Sequence, residues 1–551
     1  MKTKRFVSTL LALLLICSLP LSAFAEEYDL SVGSVTVNAS ESGQTVSQVN
    51  GVQNHTETTP TVITQSTATT TNTVTITATE NATANVTIQD VNIANSDPSG
   101  SPQDHSGQAA VTIDVVDNAS ANVTLDGVNI DVSGTGNIRK NALGEAAVQI
   151  TGNGDVTLEL DGTNTVQSGS GRAGVEKNTI AATSTNPGNG NGNLTITDET
   201  GTSGSLESTG GLGGSGIGGG HDSSGSNITI TGSAEVTAQG GLSASGIGGG
   251  AYRNGSNINI SGGKVTATGG NLGSGIGGGH KGSGSEITIS GGTVEATGGE
   301  YDGSGIGGGA YGSGSNIKIS GTAEVTAKGG NYGSGIGGGY NGSGSNITIS
   351  QDAQVKAQGG KGGKSSNSEV LYGAGAAIGN GGKPGYTNSG NLNGTEATPN
   401  TDELTPNGKI EYYAPDANME TGVPIKAVAG TYVPLQPTEP DEEAPQTAAL
   451  YRVLGQDGKD LSYKAARQDG VLTITVDADF AILTGSLSGM KTLKAQGVDA
   501  VAFVTNGASS TSAIANLLAQ GSSADTYNLT HDGTAVTFTL NNGADINKNL
   551  Q

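Results

Sequence analysis

The most regular feature of the chain is a short apolar pattern that returns every 29 or 30 residues. The segment Gly-Ile-Gly-Gly-Gly recurs with its isoleucine at Ile217, Ile247, Ile276, Ile306 and Ile336. Eleven residues after each isoleucine comes an Ile-x-Ile pair, and a Val-x-Ala pair follows, as at Ile228 and Val236. Alternation with a period of two predicts strands that bury one face. Each repeat therefore predicts two clear strands and a very short third strand around Gly-Ile-Gly.

Three short strands cannot bury an apolar face alone, but stacked coils of the chain can. Equivalent Ile and Val side chains then form ladders inside a tube, and each coil advances the axis by about 4.8 Å. Glycine suits corners where a positive φ or a close backbone approach leaves no room for a Cβ. We predict a mainly β fold: a right-handed, three-faced parallel β-helix, or solenoid, with about 30 residues per coil.

Composition changes divide the chain into four predicted parts. These are a signal peptide over 1–25, a β-helix over 26–395 (irregular coils to 210, Gly-rich repeats over 211–360, a degenerate end coil to 395), a linker over 396–447 and a small α/β module over 448–551. The linker is rich in Pro, Glu and Thr, and one strand is expected there at Lys409 to Tyr413.

The first 25 residues have the three parts of an export signal. Lys2, Lys4 and Arg5 precede an apolar run, and Ala23 and Ala25 are the small residues that a signal peptidase recognises. We therefore expect a secreted, extracellular protein, with association with the cell surface as a further option. A second long apolar segment is missing from the sequence, so no transmembrane segment is expected in the mature chain.

The C-terminal module shows a different pattern. The apolar runs at 471–476 and 500–504 predict buried strands, and the spacing at 486–496 and 510–520 predicts helices, with Ser510 as an N-cap. Residues 527–540 predict a hairpin that turns at Asp532-Gly533.

Charge and composition exclude several functions. The 551 residues include 94 Gly, 49 acidic and 25 basic residues, which gives a formal net charge of −24. Nucleic acid is not expected as a partner, because phosphate repulsion has no basic stripe to offset it. The single Cys lies in the predicted signal peptide, so no disulfide is expected in the mature chain.

Catalytic and metal motifs were not found in the sequence. Pectin-cleaving β-helices need clustered carboxylates with Arg or Lys nearby. The only arginines of the predicted solenoid are Arg139, Arg172 and Arg253, and no carboxylate pair recurs on one face of adjacent coils. The five His residues are scattered without a Ser or Asp constellation, and zinc-ligand spacing is absent. We predict no catalytic residues, no metal-ligating residues and no cofactor, with calcium as an open option. A polysaccharide lyase or glycoside hydrolase remains the enzyme alternative.

Rings recur four or five residues after each Gly-Ile: His221, Tyr252, His280, Tyr311 and Tyr340. Tyr301 and Tyr332 also occur where earlier repeats have Leu242 and Leu272. Repeated positions form a stripe along one edge of a solenoid. Aromatic faces suit the apolar C–H faces of pyranose rings, so these seven residues are candidate carbohydrate ligands. The alternative is that the rings only cover the Gly-rich loops and stack on one another.

The repeat Gly-Ser-Gly-Ile-Gly-Gly-Gly, followed by Asn-Ile-Thr-Ile-Ser-Gly-Gly-x-Val-x-Ala, resembles the glycine-rich parallel β-helix repeat of surface proteins from Gram-positive bacteria. The segments that begin at Leu487 and Phe503 resemble the C-terminal α/β module of that family. A related β-helix group binds acidic plant polysaccharide with calcium. Its turns are rich in Asp, whereas the turns here contain Ser and Gly.

Together these features predict a secreted or cell-surface, non-catalytic carbohydrate-binding or adhesion protein. It would use repeated shallow sites along the β-helix to bind a polysaccharide or a host or plant glycan. One alternative is a structural spacer at the surface with no ligand of its own. The other is a pectin-type lyase or hydrolase.

Overall fold

A computed structural model describes residues 26–551 except for 58–59, 97–103, 180–189, 200–202, 365–369, 387–390, 416, 432–450, 457, 469, 496, 522–524, 542, 544 and 546–551. The predicted signal peptide lies outside the described residues. The chain divides into two compact units, Met1–Tyr432 and Val433–Gln551.

The first unit is built from three long parallel sheets. Sheet 1 contains eleven parallel strands within the described ranges. In chain order these are Glu27–Asp29, Thr61–Thr64, Thr83–Gln89, Ser120–Asp126, Asp155–Asp161, Leu194–Thr197, Gly225–Ile230, Gly255–Ile260, Gly284–Ile289, Gly314–Ile319 and Gly344–Ile349.

Sheet 2 follows the Gly-Ile positions of the repeat. Its described parallel strands are Val35–Ser40, Val74–Ala78, Ala109–Val115, Ala146–Gly152, Val175–Lys177, Ile217–Gly218, Ile247–Gly248, Ile276–Gly277, Ile306–Gly307, Ile336–Gly337 and Ile378–Gly379. At one edge, Gly43–Gln48 and His55–Glu57 extend the sheet as antiparallel strands.

Sheet 3 follows the Val-x-Ala pairs. Its described strands are Asn92–Ser96, Asn129–Gly134, Thr163–Gln167, Ser205–Thr209, Glu235–Gln239, Lys264–Thr268, Thr293–Thr297, Glu324–Lys328, Gln354–Gln358, Lys409–Tyr413 and the antiparallel Lys426–Ala429. A separate small antiparallel sheet contains Gly363–Lys364, Val370–Tyr372 and Pro384–Tyr386, and Ile138–Lys140 forms a single 3-10 turn. The predicted parallel β-helix is confirmed.

The coils stack in register on the repeated isoleucines. Ile217 pairs with Ile247, and the series continues through Ile276, Ile306 and Ile336 to Ile378. All six side chains are fully buried. The irregular coils continue the same ladder upstream, since Val175 pairs with both Ile217 and Val148. The interior is therefore one continuous apolar core along the solenoid.

The solenoid continues into the segment that was predicted as a linker. Lys409–Tyr413 pairs in parallel with Gln354–Gln358, and Ile410 and Tyr412 are buried in the same core. The strand Lys426–Ala429 then pairs with it in an antiparallel hairpin. An open sheet edge exposes unpaired backbone groups, and antiparallel strands cover such an edge of sheet 2 at the first coil and of sheet 3 at the last.

The corners between sheets depend on very close backbone packing. Gly277 has a φ of +130°, and a Cβ added there would lie 2.1 Å from the Gly307 carbonyl oxygen of the next coil. Buried serines close the same corners, because each hydroxyl donates to the carbonyl oxygen four residues later at 2.8–3.0 Å; these are Ser215, Ser245, Ser274, Ser304 and Ser334. The role of these serines was not predicted from the sequence.

The second unit contains two four-stranded sheets and two helices in its described part. One sheet contains Tyr451–Leu454, Phe480–Ser486, Thr526–Asp532 and Ala535–Leu540, and the other contains Lys464–Gln468, Val471–Thr475, Ala500–Val504 and Ser509–Ala513. Helix α1 is Leu487–Ala495 and helix α2 is Ile514–Leu518. Their apolar sides contribute to a separate core. The predicted hairpin, α1 and the small α/β architecture are confirmed.

The prediction for Ser510 was wrong. Ser509–Ala513 is a strand paired antiparallel with Ala500–Val504, and α2 begins after Ala513, which makes no side-chain cap. Strand pairing satisfies the backbone groups that a longer helix would have used.

Neither described helix has the length and apolar character that a membrane crossing requires.

We predict that Gly277→Ala strongly destabilises the solenoid. The new Cβ collides with backbone that is itself fixed by the stack, so the loss should exceed about 3 kcal/mol. Thermal unfolding followed by far-UV circular dichroism measures it.

Gly107→Ala is the matched control. Gly107 also has a positive φ of +81°, but nothing lies within 4 Å of the added Cβ. Gly107→Ala should therefore lower the stability only through the left-handed backbone conformation, by roughly 1–2 kcal/mol. Equal effects of the two substitutions would contradict the close-packing explanation.

Candidate functional site

The structure brings five of the predicted ring residues into one continuous series. Ring centroids are separated by 5.8 Å (His221–Tyr252), 5.1 Å (Tyr252–His280), 5.9 Å (His280–Tyr311) and 5.1 Å (Tyr311–Tyr340). We call these five residues the aromatic ladder. The spacing arises because one loop position recurs on successive coils about 4.8 Å apart. The predicted stripe along one edge of the solenoid is therefore present as a set of ring contacts.

The ladder alternates between inner and outer rings. His221, His280 and Tyr340 lie four residues after the Gly-Ile isoleucine, whereas Tyr252 and Tyr311 lie five residues after it. The outer rings of Tyr252 and Tyr311 are 46% and 51% exposed, while Tyr340 is only 5% exposed. Because the exposed rings come from every second coil, they repeat about 10 Å apart along the axis.

The outer tyrosines occupy an unfavourable backbone conformation. The residue five after the isoleucine has a left-handed φ in all five repeats, and Tyr252 and Tyr311 have φ values of 67° and 64°. Asp222 and Asn341 at the equivalent position are better suited to this region. A bulky residue with a left-handed φ destabilises the fold by roughly 1–2 kcal/mol. Backbone geometry therefore does not explain the choice of tyrosine at these two positions.

A second loop lies directly beside the ladder. The backbone N–H of His280 donates to Ser243 O at 2.7 Å, and the N–H of Tyr340 donates to Asp302 O at 2.7 Å. Leu242 and Tyr301 on this second loop are 39% and 47% exposed. We call the surface formed by Leu242, Tyr252, Tyr301 and Tyr311 the aromatic edge.

The remaining predicted ring residues differ in their contacts. Tyr332 contacts Tyr340 and stacks on Tyr372, with ring centroids 5.9 and 4.9 Å apart. Tyr372 was not predicted as part of the site, since it lies in the degenerate coil. Tyr301 makes no ring contact with the described aromatic residues, but it shares the exposed edge.

Several titratable groups in this region are desolvated. Burial raises the pKa of Asp302 to about 6, and Tyr332 and Tyr340 also have raised pKa values, first from burial and then from neighbouring groups that include Asp302. Burial, together with the charge of Lys281, lowers the pKa of His280. His280 Nδ1 is buried with no hydrogen-bond partner among the described residues. Among the inner rings, the environment therefore favours the uncharged forms of His280 and Tyr340.

A buried polar cluster lies where the irregular coils meet the Gly-rich repeats. Arg172 Nη1 donates to Glu176 Oε1 at 2.7 Å, and Lys177 Nζ donates to the carbonyl oxygens of Gly190 and Ser226 at 2.6 and 3.1 Å. Burial lowers the pKa of Lys177 to about 8. These side chains are almost completely buried and their charges are hydrogen-bonded, so we interpret the cluster as structural.

The second unit contains a Ser–His pair that the sequence analysis missed. His531 is fully buried, with Nε2 2.7 Å from Ser510 Oγ and Nδ1 3.2 Å from Thr505 Oγ1. The prediction that no Ser or Asp constellation accompanies the histidines was therefore wrong for His531. Sequence spacing did not reveal the pair, because Ser510 and His531 are 21 positions apart in the chain. Thr505 takes the position that the carboxylate occupies in a Ser-His-Asp triad.

The comparisons with known proteins agree with the fold. Four segments, 228–251, 258–280, 287–310 and 317–340, match a family model described as Beta helix repeat. No curated protein and no solved structure matches the chain. The chain is thus a β-helix repeat protein by its fold and its repeated segments.

We predict that Asp302→Asn stabilises the solenoid at neutral pH. The folded pKa of about 6 lies above the unfolded value near 3.9, so ionisation costs stability as pH rises through this interval. The melting temperature of the variant should exceed that of the wild type at pH 7, and the two should converge near pH 4. A constant difference at both pH values would rule out titration of Asp302 as the cause.

We predict that acid weakens the second unit through His531. Burial lowers the folded pKa of His531, so the unfolded chain takes up the proton first as pH falls below about 6.5. The protection factors of amide hydrogens over 527–540, which are corrected for the intrinsic exchange rate, should therefore decrease as the pH is lowered from 7 to 5. His531→Gln should flatten this response and His221→Gln should not; the same response in His531→Gln would refute the assignment.

Proposed function

We propose that this chain is a secreted or cell-surface, non-catalytic protein that binds polysaccharide along its β-helix. The observation that supports this most directly is the aromatic edge, where Tyr252 and Tyr311 expose their rings from a backbone conformation that disfavours tyrosine. Exposed large apolar side chains gathered on one surface are typical of a binding site. Host or plant glycans fit this chemistry.

The exposed faces of the rings are the proposed contacts with sugar. Pyranose rings present apolar C–H groups on their faces, which pack on aromatic rings, and hydroxyl groups at their edges, which need hydrogen-bond partners. Asp222 lies at the equivalent position of the neighbouring repeat and Arg253 follows Tyr252 in sequence, and both supply polar groups. Calcium is not needed for these contacts, but the binding assay should be run with and without it.

The repeat makes the proposed binding multivalent. Outer rings recur on every second coil, so an extended glycan meets successive rings about 10 Å apart. Each contact is shallow and weak by itself. Contacts on one rigid rod add through effective concentration, and retention should therefore increase with the length of the glycan chain.

The contacts between rings favour a second candidate function. Because each ladder ring packs against the next coil, the ladder also stabilises the stack, as a structural spacer with no ligand would require. The enzyme alternative, a pectin-type lyase or hydrolase, would require clustered carboxylates with Arg or Lys nearby. A reducing-end and unsaturated-product assay on pectins tests it directly.

We predict that the double variant Tyr252→Ala, Tyr311→Ala loses glycan binding. The outer rings contribute the proposed sugar contacts, so affinity for the best ligand on a polysaccharide array should fall roughly tenfold or more. Affinity electrophoresis in gels that contain the polysaccharide measures the change.

Tyr386→Ala is the control for nonspecific loss of an exposed ring. Tyr386 is 65% exposed and lies in strand Pro384–Tyr386, outside the ladder. This variant should bind as the wild type does, and all three chains should have the same circular dichroism spectrum. If the wild type binds no polysaccharide, the spacer function is supported instead. If the double variant binds as well as the wild type, the aromatic edge is not the binding surface.

A further inference from the structure

Three metal-ligating side chains converge at the first coil of the solenoid. The donor atoms of Glu26, His55 and Glu57 all lie within 4.8 Å of one another. His55 Nε2 lies 2.7 Å from Glu26 Oε2. The aromatic edge, by contrast, begins in the Gly-rich repeats, so this group of side chains is a separate feature of the molecule.

The fold assembles this group from two separate segments of the chain. Glu26 precedes the first strand of sheet 1, Glu27–Asp29, and His55–Glu57 is the outermost antiparallel strand of sheet 2. His55 and Glu57 are two residues apart in a strand, so their side chains point to the same face. Because Glu26 and His55 are far apart in the chain, no sequence motif reveals the group.

A buried tyrosine orients one of the carboxylates. The Tyr28 side chain is buried, and its hydroxyl donates a hydrogen bond to Glu57 Oε1. Hydrogen bonds of this kind hold metal-ligating carboxylates in position.

We propose that Glu26, His55 and Glu57 bind a divalent transition metal, with Zn²⁺ as the ion of choice. One imidazole nitrogen and two carboxylates are zinc ligands, whereas Ca²⁺ prefers six to eight oxygen atoms. The two carboxylates balance the charge of the ion. The Glu26 and His55 side chains are about half exposed, which leaves room for water as a fourth ligand.

A metal at this position would join the first strand to the antiparallel strands that cover the end of the stack. Sheet edges are where solenoids need protection, so the expected consequence is a more stable first coil. The competing explanation is an ordinary ion pair, in which a protonated His55 bridges the carboxylates without any metal. Measuring metal binding by the wild type and by variants of the proposed ligands distinguishes the metal site from the ion pair.

The test is Zn²⁺ binding to the full chain, purified without a histidine tag and stripped with a chelator. Competition with a chromophoric chelator should reveal one site that His55→Gln and Glu57→Gln each weaken about 100-fold. Tyr28→Phe should weaken it about tenfold, because only the orienting hydrogen bond is lost. Thermal unfolding with and without Zn²⁺ should show stabilisation of the wild type that His55→Gln and Glu57→Gln lack.

His105→Gln is the matched control. His105 Nδ1 lies 3.2 Å from Glu145 Oε1, so it forms a similar His–carboxylate pair but with a single carboxylate. This variant should bind Zn²⁺ as the wild type does. The proposal is overturned if the wild type takes up no Zn²⁺, or if His55→Gln and Glu57→Gln bind as tightly as His105→Gln. Circular dichroism checks that all variants are folded.

Discussion

The constraint on which the whole solenoid depends is the direct stacking of backbone on backbone at every coil. Parallel strands continue through three sheets, and at the corners the chain approaches the next coil so closely that a Cβ at Gly277 would meet the Gly307 carbonyl oxygen at 2.1 Å. Such contacts fix the register of each coil on the previous one. The interior is then filled by matching Ile and Val side chains, so the fold needs few aromatic residues to form a core.

The aromatic edge is a consequence of the same stacking. Side chains at one loop position are held about one coil apart, which is also the distance at which rings pack on each other. A shift of one residue between neighbouring repeats turns Tyr252 and Tyr311 outward and leaves Tyr340 inside. The same geometry thus produces rings that stabilise the stack and rings that are available to a ligand.

The coil length, the strands and the ring stripe were predictable because they recur in the sequence. The spacing of Ile217, Ile247 and Ile276 predicts the register of the coils, and the pairing of these residues confirms it. Features that occur once were harder to predict. Ser510 follows a pattern typical of a helix N-terminus, yet tertiary pairing with Ala500–Val504 makes it part of a strand. The strand Lys409–Tyr413 was expected, but its place in sheet 3 depends on an open edge that local sequence does not reveal.

The sequence by itself determined the repeating coil, its buried face and the presence of rings on one edge, because each of these recurs at a nearly constant spacing along the chain. Only the tertiary structure decided which rings are exposed, which carbonyl oxygens accept hydrogen bonds from the corner serines, and which side chains distant in sequence come into contact. Ser510 and His531 meet across two strands of the second unit, and Glu26 and His55 meet at the first coil of the solenoid. The physical reason is that such meetings depend on strand pairing and coil stacking, which join residues separated by roughly 20 or more positions.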